Sequence, residues 1–216
     1  MTKDFLAGHQ QFRQTWLGGG RAFLERLAAE DQNPDALYIG CSDSRVVPEL
    51  LTSSSPGQLF VVRNIANLVP PLAHADASVG SALDYAIGHL RVPHLIVCGH
   101  YGCGGIKAVL EGGVDKQAFP SLHDWLLGVE VAVARTDAEA PGLAAEQRWR
   151  RAVEENVTLQ LENLMTFPLV AAAVREGRLT LHGWAYDLHS FELSVFDAPA
   201  NAFATADGLL PQRAPR

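Results

Sequence analysis

The run His94-Leu95-Ile96-Val97-Cys98, continuing into Gly99-His100-Tyr101-Gly102-Cys103-Gly104-Gly105, decides how this chain folds. Leu95 to Cys98 is an unbroken apolar stretch, the pattern of a strand buried on both faces. The glycines after it make a turn. Upstream, Asp76 to Leu90 reads as an amphipathic helix, with Val79, Leu83, Ile87 and Leu90 on one stripe, Asp76 or Ser78 as its cap, and Pro93 at the exit. Before that helix, Leu59-Phe60-Val61-Val62-Arg63 reads as a second buried strand and Leu37-Tyr38-Ile39-Gly40 as a third. Strand, helix and strand at this spacing form a βαβ unit, so the sheet is expected to be largely parallel.

The flanks extend this α/β reading. Residues 4–29 are helical in pattern, with Phe5, Phe12, Trp16, Phe23, Leu24 and Leu27 supplying an apolar face and Gly18-Gly19-Gly20 breaking the segment in two. A helix is expected from Ser121 to about Arg135, and a longer one from Leu143 towards Met165 with Trp149, Val153, Val157, Leu161 and Leu164 on one face. Leu179 to Tyr186 and Phe191 to Phe196 are extended runs that form a hairpin, or the second leaves as an edge strand. After Asp197 the chain is rich in alanine and proline and shows no clear pattern. The expectation is one domain over 1–216. Helices flank a central sheet of about four parallel strands plus an edge strand; residues 1–30 form an N-terminal arm packing on a partner subunit, and 198–216 form a tail.

Composition narrows the function classes. The 216 residues suit one α/β domain, and 48% hydrophobic against 19% charged residues indicates a folded chain. A net charge of −7 argues against a nucleic-acid binder, which would carry a basic face. The start, MTKDFLAGHQ, has no apolar targeting run, and no stretch reaches the length of a membrane span. Three cysteines, Cys41, Cys98 and Cys103, are too few for a disulfide framework and fit a reducing cytoplasm, with thiolates free to bind metal.

Cys41 stands at the carboxyl end of one predicted strand, and His100 and Cys103 stand just beyond the carboxyl end of another. Open parallel sheets form ligand sites at that rim. Two thiolates and an imidazole are good zinc ligands, and three protein ligands leave a fourth position open, the mark of a catalytic site. Cys98 lies within its strand and faces the core as a small hydrophobe.

Cys41-Ser42-Asp43-Ser44-Arg45 and Gly99-His100-Tyr101-Gly102-Cys103-Gly104-Gly105, together with Pro56-Gly57, Phe60-Val61-Val62-Arg63-Asn64-Ile65-Ala66-Asn67 and Leu181-His182-Gly183-Trp184-Ala185-Tyr186-Asp187, resemble the β-carbonic anhydrase family over about Gln32 to Phe196, in order and spacing. The resemblance implies one zinc ion per chain on Cys41, His100 and Cys103. It implies a lyase that interconverts carbon dioxide with bicarbonate and a proton, assembled as a homodimer or a dimer-of-dimers tetramer. Two thiolates acidify a zinc water less than three imidazoles would, so the site needs help. Arg45 can clamp Asp43 through paired N–H bonds, and the held carboxylate then orients zinc-bound hydroxide. Without the clamp, Asp43 could turn onto the metal and close the site.

The same resemblance places Gln32, Phe60 and Tyr85 at the substrate pocket, partly from a neighbouring subunit, and His89 at a proton-shuttle position that a solvated helix-end histidine would fill equally well. Gly104, without a side chain, can bring a backbone N–H close to an anion bound in that pocket. Some bacterial relatives carry a non-catalytic bicarbonate site. Arg63 and Tyr186 match it, but Tyr38 stands where a tryptophan would be and lacks the indole donor. The expectation leans against bicarbonate inhibition. Two alternatives remain: hydrolysis of carbonyl sulfide or carbon disulfide on the same zinc, and a non-catalytic zinc-stabilised assembly protein with a closed four-ligand site.

Overall fold

The computed structural model describes residues 2–206, and the backbone alone of residues 16–18. The chain divides into two compact units, Met1–Asn33 and Pro34–Arg216. In the first, helix α1 (Thr2–Gly19) and helix α2 (Arg21–Ala29) flank a break at Gly20. Of the expected apolar face, Phe5, Phe12 and Leu27 are exposed, and Phe23 and Leu24 are half-buried. The Trp16 side chain lies outside the described residues.

The second unit is an α/β fold. Its strands are β1 (Ala36–Cys41), β2 (Leu59–Asn64), β3 (His94–Tyr101), β4 (Thr180–Asp187), β5 (Leu193–Asp197) and β6 (Ala202–Thr205), in the order β2-β1-β3-β4-β5-β6. The first four are parallel, and β5 and β6 add antiparallel strands. The main helices are α3 (Pro48–Thr52), α4 (Ala77–Leu83), α5 (Gly104–Leu110), α6 (Pro120–Glu139), α7 (Ala145–Leu164) and α8 (Pro168–Arg175). Among the described residues no single helix is long and apolar enough to cross a membrane.

Several expectations are corrected. The run at β2 is an edge strand and only half-buried, whereas β1 is buried throughout. Apolar content cannot tell an edge from a centre, because burial depends on which neighbours arrive. Two antiparallel strands stand where one was expected, and residues 202–205 of the supposed tail form the outer one. β3 runs three residues beyond Cys98, so His100 lies within the strand, paired with Tyr186. The helix from Asp76 changes period. Asp76 Oδ1 accepts from the Ser78 and Val79 N–H groups, both at 3.0 Å, and α4 passes at Asp84–His89 into a π turn closed by Leu90 N–H donating to Tyr85 O.

The sheet alternates. One face presents Leu37 and Ile39 of β1 and Leu95 and Val97 of β3 to Val79, Leu83 and Ile87, to Val157 of α7 and to Val170 of α8, the main core. The other face carries a smaller cluster of Ala36, Tyr38, Ile96 and Cys98. Two glycines set how deeply α7 seats. A Cβ on Gly99 would lie 2.8 Å from Val157 Cγ2, and one on Gly183 of β4 would lie 3.0 Å from Val157 Cγ1. Val157 thus fills a notch that these two strands leave open.

Candidate metal centre

The carboxyl ends of β1 and β3 deliver the expected ligands to one point. The Cys41 and Cys103 sulfurs lie 4.0 Å apart, and with a His100 ring nitrogen the ligand atoms are all within 4.8 Å of one another. All three side chains are buried. The two thiols ionise as a pair. The bond from Cys103 pulls Cys41 below the ordinary thiol range, and the same bond raises Cys103, so one thiolate forms readily and the second resists. A dication placed between them removes that resistance.

The histidine is oriented. His100 Nδ1 lies 3.3 Å from the Tyr101 carbonyl, which can only accept, so Nδ1 carries the proton and Nε2 presents its lone pair. Nε2 is buried without a hydrogen-bond partner. An orphaned imidazole nitrogen beside two thiols fits a metal ion.

The surroundings pin the ligand backbones. Arg63 Nε donates to Cys41 O at 3.0 Å, and Trp149 Nε1 donates to Cys103 O at 3.1 Å. Cys103 caps α5, and a Cβ on Gly105 would lie 3.0 Å from Ile65 Cγ2. Gly105, not the more open Gly104, is therefore the glycine that close packing requires. The loop after β2 is held by Asn64, whose side chain bonds both backbone groups of Leu68, by Trp125 Nε1 to Ile65 O at 2.9 Å, and by Asn156 Nδ2 to Ala66 O at 3.0 Å.

Asp43 and Arg45 form a fork. Arg45 Nε donates to Oδ1 at 2.9 Å and Nη2 to Oδ2 at 2.6 Å, while the Arg45 backbone N–H adds a bond to Oδ1 at 3.0 Å. These bonds hold the Asp43 carboxyl well below the usual range. Its Oδ2 stands 3.7 Å from His100 Nε2.

A family model described as carbonic anhydrase matches residues 36–193. A carbonic anhydrase of Pseudomonas aeruginosa is 38% identical, covering 94% of this chain and 91% of that protein. One of Synechocystis is 36% identical over 92% and 72% of the two chains. The solved β-carbonic anhydrase CcaA superposes with a TM-score of 0.90 at 35% identity, covering 94% of this chain and 98% of its own. A chain from two tetrameric β-carbonic anhydrases of Sordaria macrospora gives 0.82 at 29%, covering 91% and 97%. The chain belongs to the β-carbonic anhydrase family.

Within this β-carbonic anhydrase the other expected residues fall into separate groups. A cavity of about 490 Å³ opens at Ser42, next in sequence to the candidate ligand Cys41, and is lined by Arg63, Asn64, Ile65, Val79 and Trp125 among others. A larger one of about 740 Å³ adjoins it, sharing Asp76, Ser121 and Trp125. Phe60, Tyr85 and His89 line neither. They form a row of their own, with ring centroids 5.9 Å apart for Phe60–Tyr85 and 5.0 Å for Tyr85–His89, and Tyr85 is exposed. Phe60 pairs with Leu37, four residues before Cys41 and so about 13 Å back along the strand. Gln32 is exposed in the N-terminal unit. Tyr38, Arg63 and Tyr186 share one face of the sheet. Tyr38 is fully buried, its ring lying over Gly40 and its hydroxyl without a partner, while Arg63 is committed to Cys41 O and, through Nη2 at 2.6 Å, to Asp43 O. The pinning roles of Trp149, Trp125 and Asn156 were missed: Trp149 carried only a helix-face signal, and the other two joined no motif.

Proposed function

We propose that this chain catalyses the reversible hydration of carbon dioxide to bicarbonate and a proton, with one zinc ion held by Cys41, His100 and Cys103 and with Asp43 and Arg45 as the working dyad. The observation that carries this reading is the buried Cys-His-Cys group, with His100 Nε2 bare, beside a carboxylate whose two oxygens are both forked by an arginine. When bound, zinc supplies Lewis acidity that makes water nucleophilic near neutral pH. Asp43 remains ionised throughout the working range, so it accepts a hydrogen bond from the attacking water and turns the oxygen lone pair towards the carbon of the substrate. Arg45 keeps the carboxylate from turning onto the ligand group. Neither the carbonyl sulfide and carbon disulfide reading nor the assembly-protein reading has an observation in its favour.

We infer further that the Phe60–Tyr85–His89 row, with Gln32, serves the pocket of a neighbouring protomer in a dimer or dimer of dimers, and that His89 passes protons to buffer. The exposure of Tyr85 and His89 and the row's absence from the lining of the cavity at Ser42 support this. Gly104, at the start of α5, offers a backbone N–H to a bound anion. The engaged Arg63 and the walled-in Tyr38 hydroxyl support a chain without bicarbonate inhibition. Three free thiols, two of them needed as ligands, suit the cytoplasm. Stopped-flow hydration at alkaline pH tests the whole reading. The expected result is chelator-sensitive activity, about one zinc per chain by metal analysis, a shallow pH profile, and no inhibition by added bicarbonate beyond that of a reaction product. Full zinc loading with no hydration at any pH would sink it.

A further inference from the structure

The end of the sheet opposite the metal centre carries a second pair of ligand-type side chains. His94 opens β3, and His182 is near the start of β4. The parallel register matches His94 with Thr180 and Ile96 with His182, so the two imidazoles stand on the same face at diagonal positions of neighbouring strands. Their rings meet edge to face, with centroids 5.2 Å apart and planes at 63°. His182 Nε2 lies 3.2 Å from His94 Nδ1.

Two imidazoles can use that separation in two ways. One ring can donate its N–H to the other, although 3.2 Å is the long limit for such a bond. Both lone pairs can instead face one cation, because two nitrogens on a tetrahedral ion at ordinary bond lengths stand about 3.3 Å apart. The chemistry favours readiness for a cation. His182 is pushed below the usual histidine range by its burial and by His94, which favours in that ring the neutral form that a ligand requires. His94 is exposed, which gives an ion a way in. Among the described residues, no third His, Cys, Asp or Glu joins the pair, so water completes the coordination. Imidazole donors select zinc, nickel or copper(II) over calcium or magnesium.

We propose that His94 and His182 form a second, open metal site for a divalent d-block cation, about 20 Å along β3 from His100. The strand then carries a metal position at each end, a buried three-ligand one and an accessible two-ligand one.

The test is calorimetric titration of the zinc-loaded protein with nickel(II), with protein-bound zinc measured before and after. The expected result is a single saturable nickel equivalent per chain with zinc retained, absent from both His94→Ala and His182→Gln. His94 is exposed, so His94→Ala leaves the fold intact and decides the matter even if the half-buried His182→Gln is unstable. No saturable binding in the wild type, binding that persists in His94→Ala, or uptake matched by zinc loss would each overturn the proposal.

Discussion

Arg45 makes two of its three bonds to Asp43 through a guanidinium that is more than half exposed, yet it governs a carboxylate that is mostly covered. An exposed ion pair contributes little to stability, so its value lies in aim. Arg45→Ala is expected to lower kcat about a hundredfold, as misplacement of a positioning group does, with zinc content unchanged by metal analysis. The pH consequence has a definite sign. The folded Asp43 pKa lies below the unfolded value of about 3.9. Its contribution to stability is therefore present above about pH 4 and is lost as pH falls through the folded value. Asp43→Asn should make the acid-unfolding curve shallower between pH 4 and pH 2, and an unaltered slope would contradict this. At this scale the grouping of Cys41, His100 and Cys103 was open to reading from sequence, because Cys and His in such spacing have few other uses. Trp149 and Asn156 were not, because their partners lie 46 and 90 residues away.

The elements differ in how they showed themselves. β1 and β3 announce themselves by apolar runs that few other structures would carry. α5 was hidden because it opens on Gly104 and Gly105, poor helix formers retained for close packing. β6 is four residues, Ala-Phe-Ala-Thr, too short for a pattern. The π turn at Asp84–His89 escapes notice because its apolar spacing also satisfies an α-helix. The loop between Asn64 and Val69 is the least regular part of the site. Ala66 and Asn67 hold left-handed backbone, at φ 62° and 49°. A buried amide ladder holds it in place: Asn156 donates to Ala66 O and accepts from Gln160 Nε2, while Gln160 Oε1 accepts from the Val69 N–H. Asn156→Ala strands a carbonyl and an amide in the interior and is expected to cost about 2–3 kcal/mol, measured by urea unfolding.

At the scale of the whole molecule, each protomer shows a cavity at Ser42, next in sequence to Cys41, and an aromatic row that does not line it. If protomers exchange these parts, two defective chains can mend each other. Cys41→Ser and Tyr85→Ala chains, each impaired alone, should regain part of the hydration rate when refolded together and assayed by stopped flow. A mixture no faster than the sum of its components would confine the site to one chain.

The notch that receives Val157 reaches further than packing. Helix α7 carries Trp149 to Cys103, Asn156 to Ala66 and Gln160 to Val69, so ligand and loop both take their height from one rigid rod. Gly99 and Gly183 act as the seat of a gauge. A single methyl at Gly99 would lift the rod and slacken every bond referenced to it. Gly99→Ala should therefore weaken zinc retention in chelator competition together with a loss of about 1–3 kcal/mol in unfolding. The metal centre and the sheet would then be found to share one datum.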